Sequence, residues 1–392
     1  MLRILHTADV HLGARHAVLG EQARALRERQ FAAFQATVDL AVKESVDLFL
    51  VAGDLFDSNT QPRRSVERVA AELKRLIRAK IRTVIIPGTH DVYDRSSIYR
   101  AYDLPAMAFS GPDDDWVTVL TPDRPEVHLA TCDIVVHGRC FATKRAPHSP
   151  LQGLDAGNDD RATWHVGLLH AAIAIPGRTD ADEVVVTKDE IAATNLDYLA
   201  LGHWHSSQQG KAGSVTWAYA GAPEPVAIDQ DRAGKVLLVT FDAGAAGGKG
   251  EKTVLVEERT VGRTRFEKVE LDTATLDDQP ALIQQLRRKA NADLVLDVRL
   301  FGVRPDALDL DIDEIEAALQ SSFYRVRVRD VSLPELSGGR GAPPDTITGA
   351  FVRDVEGRIA ELESAGSTGE AAELRDVLRL GRLLLAGHEV AL

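Results

Sequence analysis

The sequence predicts an α/β protein: helices packed on a sheet of short apolar strands, then a smaller α/β module and a closing pair of helices. Apolar runs typical of strands alternate with amphipathic helical stretches from the first residues onward. The chain has 392 residues, of which 44% are hydrophobic and 27% charged. This length and composition suit two globular domains and exclude a disordered or fibrous protein.

The first part of the chain alternates strand and helix. LRILHTA predicts a strand, a helix follows to about Lys43, and DLFLVAG predicts the next strand. Proline at a helix start and apolar residues at helical spacing predict a helix over 62–80, whose basic face we expect to be solvated rather than a track for nucleic-acid phosphates. Later predicted strands are RTVIIPG, CDIVVHG, HVGLLH and LDYLALG. TKDE at 187–190 has the form of a capping box that opens a helix.

Glycine- and proline-rich stretches divide the chain. DAGAAGGKGEK follows the first α/β part, and SLPELSGGRGAPPD precedes two amphipathic helices. We therefore expect a first domain over 1–250, a second over 253–333, a linker over 334–344 and a helix pair over 345–387.

Composition also limits where the chain works. A net charge of −13 argues against broad non-specific binding to nucleic acid. An acidic protein can nevertheless carry a local basic track. No apolar run is long enough to span a bilayer, and the first residues lack the pattern of a signal peptide. Cys132 and Cys140 cannot build a disulfide framework, which favours a reducing, cytoplasmic location.

Histidine and aspartate residues follow five predicted strands, where α/β sheets build their sites. The motifs are Asp9-x-His11, Gly53-Asp54, Gly88-Thr89-His90-Asp91, His170 and Gly202-His203-Trp204-His205. Imidazole and carboxylate together suit Mn²⁺, Fe²⁺ or Zn²⁺, and a bridging carboxylate can hold two ions for in-line attack at phosphorus. Each motif alone is weak evidence, but five in this order predict a metal site.

These residues also carry a resemblance. The pattern D-x-H, GD, G-T-H-D, H and G-H-x-H resembles that of the calcineurin-like metallophosphoesterase superfamily, and HTADVHLG, AGDLFD and ALGHWH most resemble the SbcD-type nucleases of DNA double-strand-break repair. The resemblance spans residues 1 to about 210. It implies a metallophosphoesterase β-sandwich flanked by helices, with 253–333 as a capping domain that helps to place DNA.

The resemblance implies a role for each residue. Asp9, His11 and His205 would hold one metal ion, His170 and His203 a second, and Asp54 would bridge them. His90 would contact the scissile phosphate and assist the leaving group, with Asp91 orienting its imidazole. The implied cofactors are two divalent ions, with Mn²⁺ the usual activator. The implied reaction is exonuclease and endonuclease cleavage of DNA by two-metal activation of water.

One residue departs from the family pattern. The family has asparagine where this chain has Thr89, and a hydroxyl is a shorter and weaker ligand than a carboxamide oxygen. We expect Thr89 to make the second metal site weaker, which suggests a divergent branch of the nuclease family.

The closing helices have an apolar stripe, which predicts a packing surface. In the first helix we expect the stripe at Ile347, Phe351, Val355, Ile359 and Leu362, and in the second at Leu374, Val377, Leu378, Leu384 and Leu385. The resembling nucleases use a helical element here to bind an SMC-like ATPase, and the resemblance also implies a homodimer. The alternative is that the helices pack on each other or on their own domain.

Other interpretations remain open at this stage. A phosphodiesterase or phosphatase acting on a small molecule, such as a cyclic nucleotide, would share all five motifs. A non-catalytic scaffold with a degenerate metal site is a third hypothesis, supported by Thr89 alone. His6, His128, His137, His148 and His165 show no ligand pattern, and most are expected to be ordinary core or surface residues. His16 follows the first motif, where a phosphate contact is the less favoured of its two interpretations. Arg139, Lys144 and Arg145 are candidates for DNA-phosphate contacts.

Overall fold

A computed structural model describes residues 1–14, 22–111, 114–175, 184–225, 230, 232–244, 252–305, 307–334, 343 and 345–385. His16 and most of the expected linker over 334–344 lie outside these ranges. The chain divides into two compact units, Met1–Thr264 and Arg265–Leu392. None of the helices in the described ranges is both long and apolar enough to cross a membrane.

The first unit contains the alternating strands and helices that the sequence predicts. Its strands are β1 (Leu2–Thr7), β2 (Leu48–Ala52), β3 (Arg82–Ile86), β4 (Val117–Val119), β5 (Glu126–Leu129), β6 (Ile134–Gly138), β7 (Trp164–His170), β8 (Ala172–Ile173), β9 (Val185–Val186), β10 (Tyr198–Gly202), β11 (Gln208–Ala212), β12 (Val215–Tyr219), β13 (Lys235–Asp242) and β14 (Thr253–Thr260). Its helices are α1 (Gln22–Lys43), α2 (Arg63–Arg78), α3 (Ile98–Ala101), α4 (Leu104–Met107) and α5 (Lys188–Ala193).

The larger strands form two sheets that pack face to face. The first sheet has the order β14-β13-β1-β2-β3-β4, with β1 to β4 parallel. The second has the order β11-β12-β10-β7-β6-β5, with β6, β7, β10 and β12 parallel. Ile4 and Leu50 of the first sheet share a fully buried cluster with Val166 and Ala200 of the second. The expected α/β fold, a β-sandwich flanked by helices, is confirmed.

Helices cover the outer faces of the sandwich. Phe34 of α1 and Leu73 of α2 are buried against the first sheet, because both helices place their apolar residues on one side. Two basic side chains of α2 are paired with acidic neighbours: Arg68 contacts Glu28, and Arg75 contacts Glu72. These ion pairs support the interpretation of a solvated face rather than a phosphate track.

The boundary between the units differs from the one expected at 250–253. Strand β14 pairs along its whole length with β13 in the first sheet, and the division follows Thr264. The sequence places β14 next to the second module, whereas backbone hydrogen bonding attaches it to the edge of the first sheet.

The second unit begins with a small α/β module. Its elements are β15 (Arg265–Asp272), α6 (Gln279–Arg287), β16 (Asn291–Phe301), β17 (Val303–Arg304), α7 (Ile312–Leu319), β18 (Phe323–Asp330) and β19 (Leu333–Pro334). Strands β15, β16 and β18 form a parallel sheet with β16 in the centre. Leu286 of α6 and Ile315 of α7 are buried with Leu296 of β16.

The closing helices α8 (Ile347–Ser364) and α9 (Thr368–Leu385) pack against each other. Val352, Val355 and Ile359 are buried, whereas Ile347, which the expected stripe includes, is 80% exposed. A Cβ atom on Gly381 would lie 2.2 Å from the Phe351 ring, so the ring packs directly on the α9 backbone. On α9, Val377, Leu384 and Leu385 stay exposed.

Helix α5 begins with the predicted capping box. The Thr187 hydroxyl accepts a hydrogen bond from the Glu190 backbone N–H, and the Glu190 carboxylate accepts one from the Thr187 N–H. Thr187→Ala should therefore destabilise α5 by about 1 kcal/mol. Faster hydrogen exchange of the Glu190 amide is the expected signature, with Lys188→Ala as the control. Equal protection in both variants would contradict it.

Candidate metal centre

The predicted site residues lie where strands of both sheets end. Asp9 and His11 follow β1, Asp54 follows β2, and His170 ends β7. His203 follows β10, which pairs in parallel with β7 so that Gly202 lies beside His170. Because carboxyl ends of parallel strands meet at one edge, and the two sheets are stacked, these four separate segments converge.

Four of these residues have left-handed backbone conformations. The φ angles are 53° for Asp9, 50° for His11, 50° for Asp54 and 102° for His203. Such conformations cost non-glycine residues about 1–3 kcal/mol each and concentrate at functional sites. The backbone strain therefore supports a functional role for this edge of the sandwich.

Gly202 allows the two sheets to approach each other closely. A Cβ atom at this position would lie 1.9 Å from the Ala52 carbonyl oxygen. The Ala52 carbonyl instead accepts a hydrogen bond from His170 Nδ1 at 3.0 Å. This bond places the proton on Nδ1 and leaves Nε2 of His170 as the ligand atom.

Asp9, His11 and His205 form one group of potential ligands. His11 Nε2 lies 3.1 Å from His205 Nε2, and His205 Nε2 lies 3.9 Å from an Asp9 oxygen. The Asp9 carboxylate also accepts the backbone N–H of His203 at 3.0 Å. The Gln230 side-chain amide contacts His205 Nδ1. The structure thus brings together the three residues expected at the first ion.

Asp54 and His170 belong to a second group, in which Asp9 is the third member. His170 Nε2 lies 3.2 Å from Asp54 Oδ2, and the same oxygen lies 3.8 Å from His11 Nε2. Asp54 therefore lies close to a histidine of each group, whereas Asp9 is the residue that the two groups share. The ring of His203 lies edge-on to His170, with centroids 5.3 Å apart.

Thr89 lies beside the same carboxylate. Its hydroxyl donates to Asp54 Oδ2 at 3.4 Å, and the next backbone N–H, that of His90, donates to Asp54 Oδ1 at 2.7 Å. The Thr89 hydroxyl therefore contacts the second group at its Asp54 carboxylate.

His90 and Asp91 are arranged differently from the expectation. Asp91 is fully buried, and its oxygens accept hydrogen bonds from the Gly88 N–H, the Phe56 N–H and the Tyr99 hydroxyl. Its carboxylate thus holds the loop after β3 in place.

The imidazole of His90 is held by Asp57 instead. Its Nδ1 lies 3.0 Å from the Asp57 carbonyl oxygen, and the Asp57 carboxylate lies 3.3 Å from His11 Nδ1. Asp57 was not singled out from the sequence. Its position three residues after Asp54 in the GDLFD segment is the signal that could have found it.

Burial keeps two of the histidines neutral. It lowers the pKa of His203 to about 4 and that of His205 to about 3. Burial also raises the pKa of Asp9 to about 6. For His170, burial acts to lower the pKa, but the Asp54 carboxylate, the Asp9 carboxylate and the Ala52 carbonyl together raise it to about 10. Neutral imidazoles beside carboxylates form a donor set for a divalent ion.

These residues fit divalent metal ions. His170 Nε2 is buried and lies 3.2 Å from Asp54 Oδ2, and His11 Nε2 faces His205 Nε2 at 3.1 Å. Ligand atoms 3.1–3.9 Å apart can each lie at about 2.0–2.2 Å from a shared ion. Asp9, His11 and His205 would hold one ion, and Asp54 and His170 a second, with Asp9 the residue that both groups share. His203, which we expected at the second ion, lies beside His170 but outside both groups.

Three further side chains lie beside or behind this centre. Arg139 and Lys144 line a small cavity together with Thr89 and His170. Trp204 stacks on Tyr219, with ring centroids 5.1 Å apart, and therefore packs behind the site.

Metal binding at this site should release a proton. Below its pKa of about 10, the metal-free His170 carries a proton that an incoming ion must displace. The apparent affinity for Mn²⁺ should therefore rise with pH, by up to about tenfold per unit. Calorimetry in two buffers of different ionisation enthalpy measures the proton count, with His170→Gln as the control. Affinity independent of pH between about pH 6.5 and about pH 8.5 would contradict it.

Comparison with known proteins places this geometry in a family. Residues 2–207 match the calcineurin-like phosphoesterase family, which confirms the expected metallophosphoesterase fold. The chain is 27% identical over 280 residues to the DNA double-strand break repair protein Mre11 of Aeropyrum pernix, covering 69% of this chain and 64% of that protein, just under two thirds of its length.

Two further relatives match over longer stretches. Mre11 of Halobacterium salinarum is 24% identical, covering 97% of this chain and 89% of that protein. A component of the nuclease SbcCD of Rhodobacter capsulatus is 26% identical, covering 88% of this chain and 91% of that protein. By the match over more than half of its length, the chain belongs to the calcineurin-like phosphoesterase family.

Proposed function

We propose that the protein is a Mn²⁺-dependent phosphodiesterase that cleaves DNA in double-strand-break repair, working with an SMC-like ATPase. The observation that carries the proposal is the convergence of Asp9, His11, Asp54, His170 and His205 on one edge of the sandwich. The relatives named for DNA double-strand break repair and as part of a nuclease support DNA as the substrate.

The chain's own residues have distinct tasks in this reaction. Two bound ions would supply Lewis-acid charge and an activated water. Asp54, oriented by the backbone N–H of His90, holds the two ligand groups at a fixed separation. The Asp57 carbonyl engages Nδ1 of His90, so Nε2 is the nitrogen that can meet the phosphate or the leaving oxygen.

Local charge supports a phosphate substrate despite the net charge of −13. Arg139 and Lys144 lie at the cavity that Thr89 and His170 also line. Cationic side chains beside a metal site provide contacts for a phosphodiester backbone.

The decisive experiment compares two substrates. The purified full chain should cleave linear duplex DNA and bis-p-nitrophenyl phosphate when Mn²⁺ is present, and a chelator should stop both reactions. Hydrolysis of the small ester alone would favour a small-molecule phosphodiesterase. Failure on both substrates would favour a non-catalytic scaffold.

His90→Ala should lower turnover at saturating Mn²⁺ by about 10²–10⁴-fold, because a positioned acid is removed. The affinity for Mn²⁺ should stay close to that of the parent, since His90 is outside both expected ligand sets. His128→Ala, at an exposed histidine of β5, is the matched control. Parent-like turnover of His90→Ala would exclude the role.

Thr89→Asn should strengthen the second metal site. The Thr89 hydroxyl is 3.4 Å from Asp54 Oδ2, and a carboxamide reaches further and is the stronger donor. The concentration of Mn²⁺ needed for half-maximal activity should fall, with Thr89→Ser as the control. An unchanged or raised requirement would show that Thr89 is not a substitute ligand.

We place the ATPase contact on the exposed side of α9. Phe351 packs on Gly381 inside the helix pair, so replacing it would disturb the pair itself. Val377 and Leu384, seven residues apart, lie on one side of α9 and are 48% and 56% exposed. An apolar helix side of this kind suits a partner helix.

Val377→Asp with Leu384→Asp should abolish co-purification with the co-expressed ATPase while small-ester hydrolysis stays unchanged. The reason is that charge on an apolar contact side opposes burial. Leu255→Asp, at a 58% exposed position of β14, is the control. Full retention of the ATPase by the double variant would contradict this docking surface.

A further inference from the structure

A further group of metal-ligating side chains lies away from the candidate metal centre. It consists of His137, Asp159 and His165. His165 lies near the start of β7 and His170 at its end, so the two groups are separated by about 16 Å along the strand. Both imidazoles are buried, with His137 7% and His165 4% exposed.

Strand register brings these residues to one face of the second sheet. His137 is paired with Glu126 of β5 on one side and with Gly167 of β7 on the other. His165 is two residues before Gly167 and therefore points to the same face as His137. His137 Nε2 lies 3.1 Å from His165 Nδ1.

The surroundings of His165 determine which of its nitrogens carries a proton. His165 Nε2 lies 3.1 Å from the Ala162 carbonyl oxygen, which can only accept, so Nε2 must donate. In the neutral ring, Nδ1 then presents a lone pair to His137. Asp159 Oδ2 lies 3.7 Å from the same Nδ1.

His137 is in a similar position. Glu126 Oε2 lies 3.4 Å from His137 Nδ1, and a carboxylate there favours a proton on Nδ1. The lone pair of His137 Nε2 then faces that of His165 Nδ1. In the other tautomer of His137, the proton on Nε2 can be donated to His165 Nδ1. The unprotonated Nδ1 of His137 then faces the Glu126 carboxylate, which is unfavourable. Burial lowers the pKa of His137, which disfavours relief by an extra proton.

We propose that His137 Nε2, His165 Nδ1 and the Asp159 carboxylate bind a zinc ion. A cation between the imidazoles removes the lone-pair repulsion and allows both outer nitrogens to keep their protons. Ligand atoms 3.1 Å and 3.7 Å apart can each lie about 2.0–2.2 Å from one ion. Two imidazoles and one carboxylate suit zinc, and these are the same donor types as in the Asp9, His11 and His205 group.

Neighbouring side chains hold the carboxylates of this site in place, and a cavity adjoins it. Arg161 donates to both Asp159 and Glu126, which keeps the two carboxylates anionic and in place. A cavity of about 70 Å³, lined in part by His137 and Arg139, adjoins the group and offers space for a fourth, exogenous ligand. The ion would join the 159–161 segment to β6 and β7.

The test is the zinc content of the full chain. Each protein is freed of metal, incubated with Zn²⁺ alone, desalted and measured by elemental analysis. His165→Gln should contain one zinc ion fewer per chain than the parent, and Asp159→Asn should bind at this site about 100-fold or more weakly. His128→Gln, at an exposed histidine of the same sheet, should match the parent. Glu126→Gln should weaken binding by about 10–100-fold without removing a ligand.

A second readout separates this site from the catalytic centre. Mn²⁺-dependent hydrolysis of the small ester should be unchanged in His165→Gln and Asp159→Asn, which also shows that both variants fold. Equal zinc content in the parent and in both variants would overturn the proposal and favour a proton shared by the two imidazoles. The zinc measurement does not require any phosphoesterase activity, so its outcome is independent of the proposed function.

Discussion

The buried carboxylate of Asp54 is the contact on which the metal centre depends. It receives the backbone N–H of His90 from the loop after β3 and lies 3.2 Å from Nε2 of His170 at the end of β7. One side chain thus connects both sheets of the sandwich. Because Asp54 is almost fully buried, its negative charge must be balanced by neighbouring imidazoles or by metal ions.

The core between the sheets stabilises this arrangement. Left-handed conformations at Asp9, His11, Asp54 and His203 are each unfavourable by about 1–3 kcal/mol. Fully buried apolar side chains of the sandwich each contribute stabilisation of about the same size. Strand ends anchored in such a core hold the candidate ligands close together. Gly202 adds to this by allowing the two sheets to approach at the centre itself.

Strand β7 contributes a histidine to each of two clusters of metal-ligating side chains. Its last residue, His170, belongs to the carboxylate-rich centre at the carboxyl edge. Near its first residue, His165 faces His137 on the outer face of the sheet. The alternation of side chains along a strand places these histidines on opposite faces, so one rigid strand presents ligands to separate environments.

The sequence by itself predicted the strands that end at the candidate centre, the main helices and the types of side chain offered as ligands. Apolar runs predicted β1, β2 and β3, and the residue after each strand could be named because site residues in such folds follow strand ends. These features could be predicted because they depend on residues that are close together in the sequence. The capping box of α5 is another such feature.

Only the tertiary structure decided which groups meet across long stretches of chain. In the structure Asp57, rather than Asp91, contacts the imidazole of His90. Strand β14 pairs with β13 in the first sheet, and His137 lies beside His165. These contacts depend on the register of strands and on the packing of loops, neither of which has a local sequence signal. A histidine at a strand end predicts a ligand, but its partner is set by the neighbouring strand.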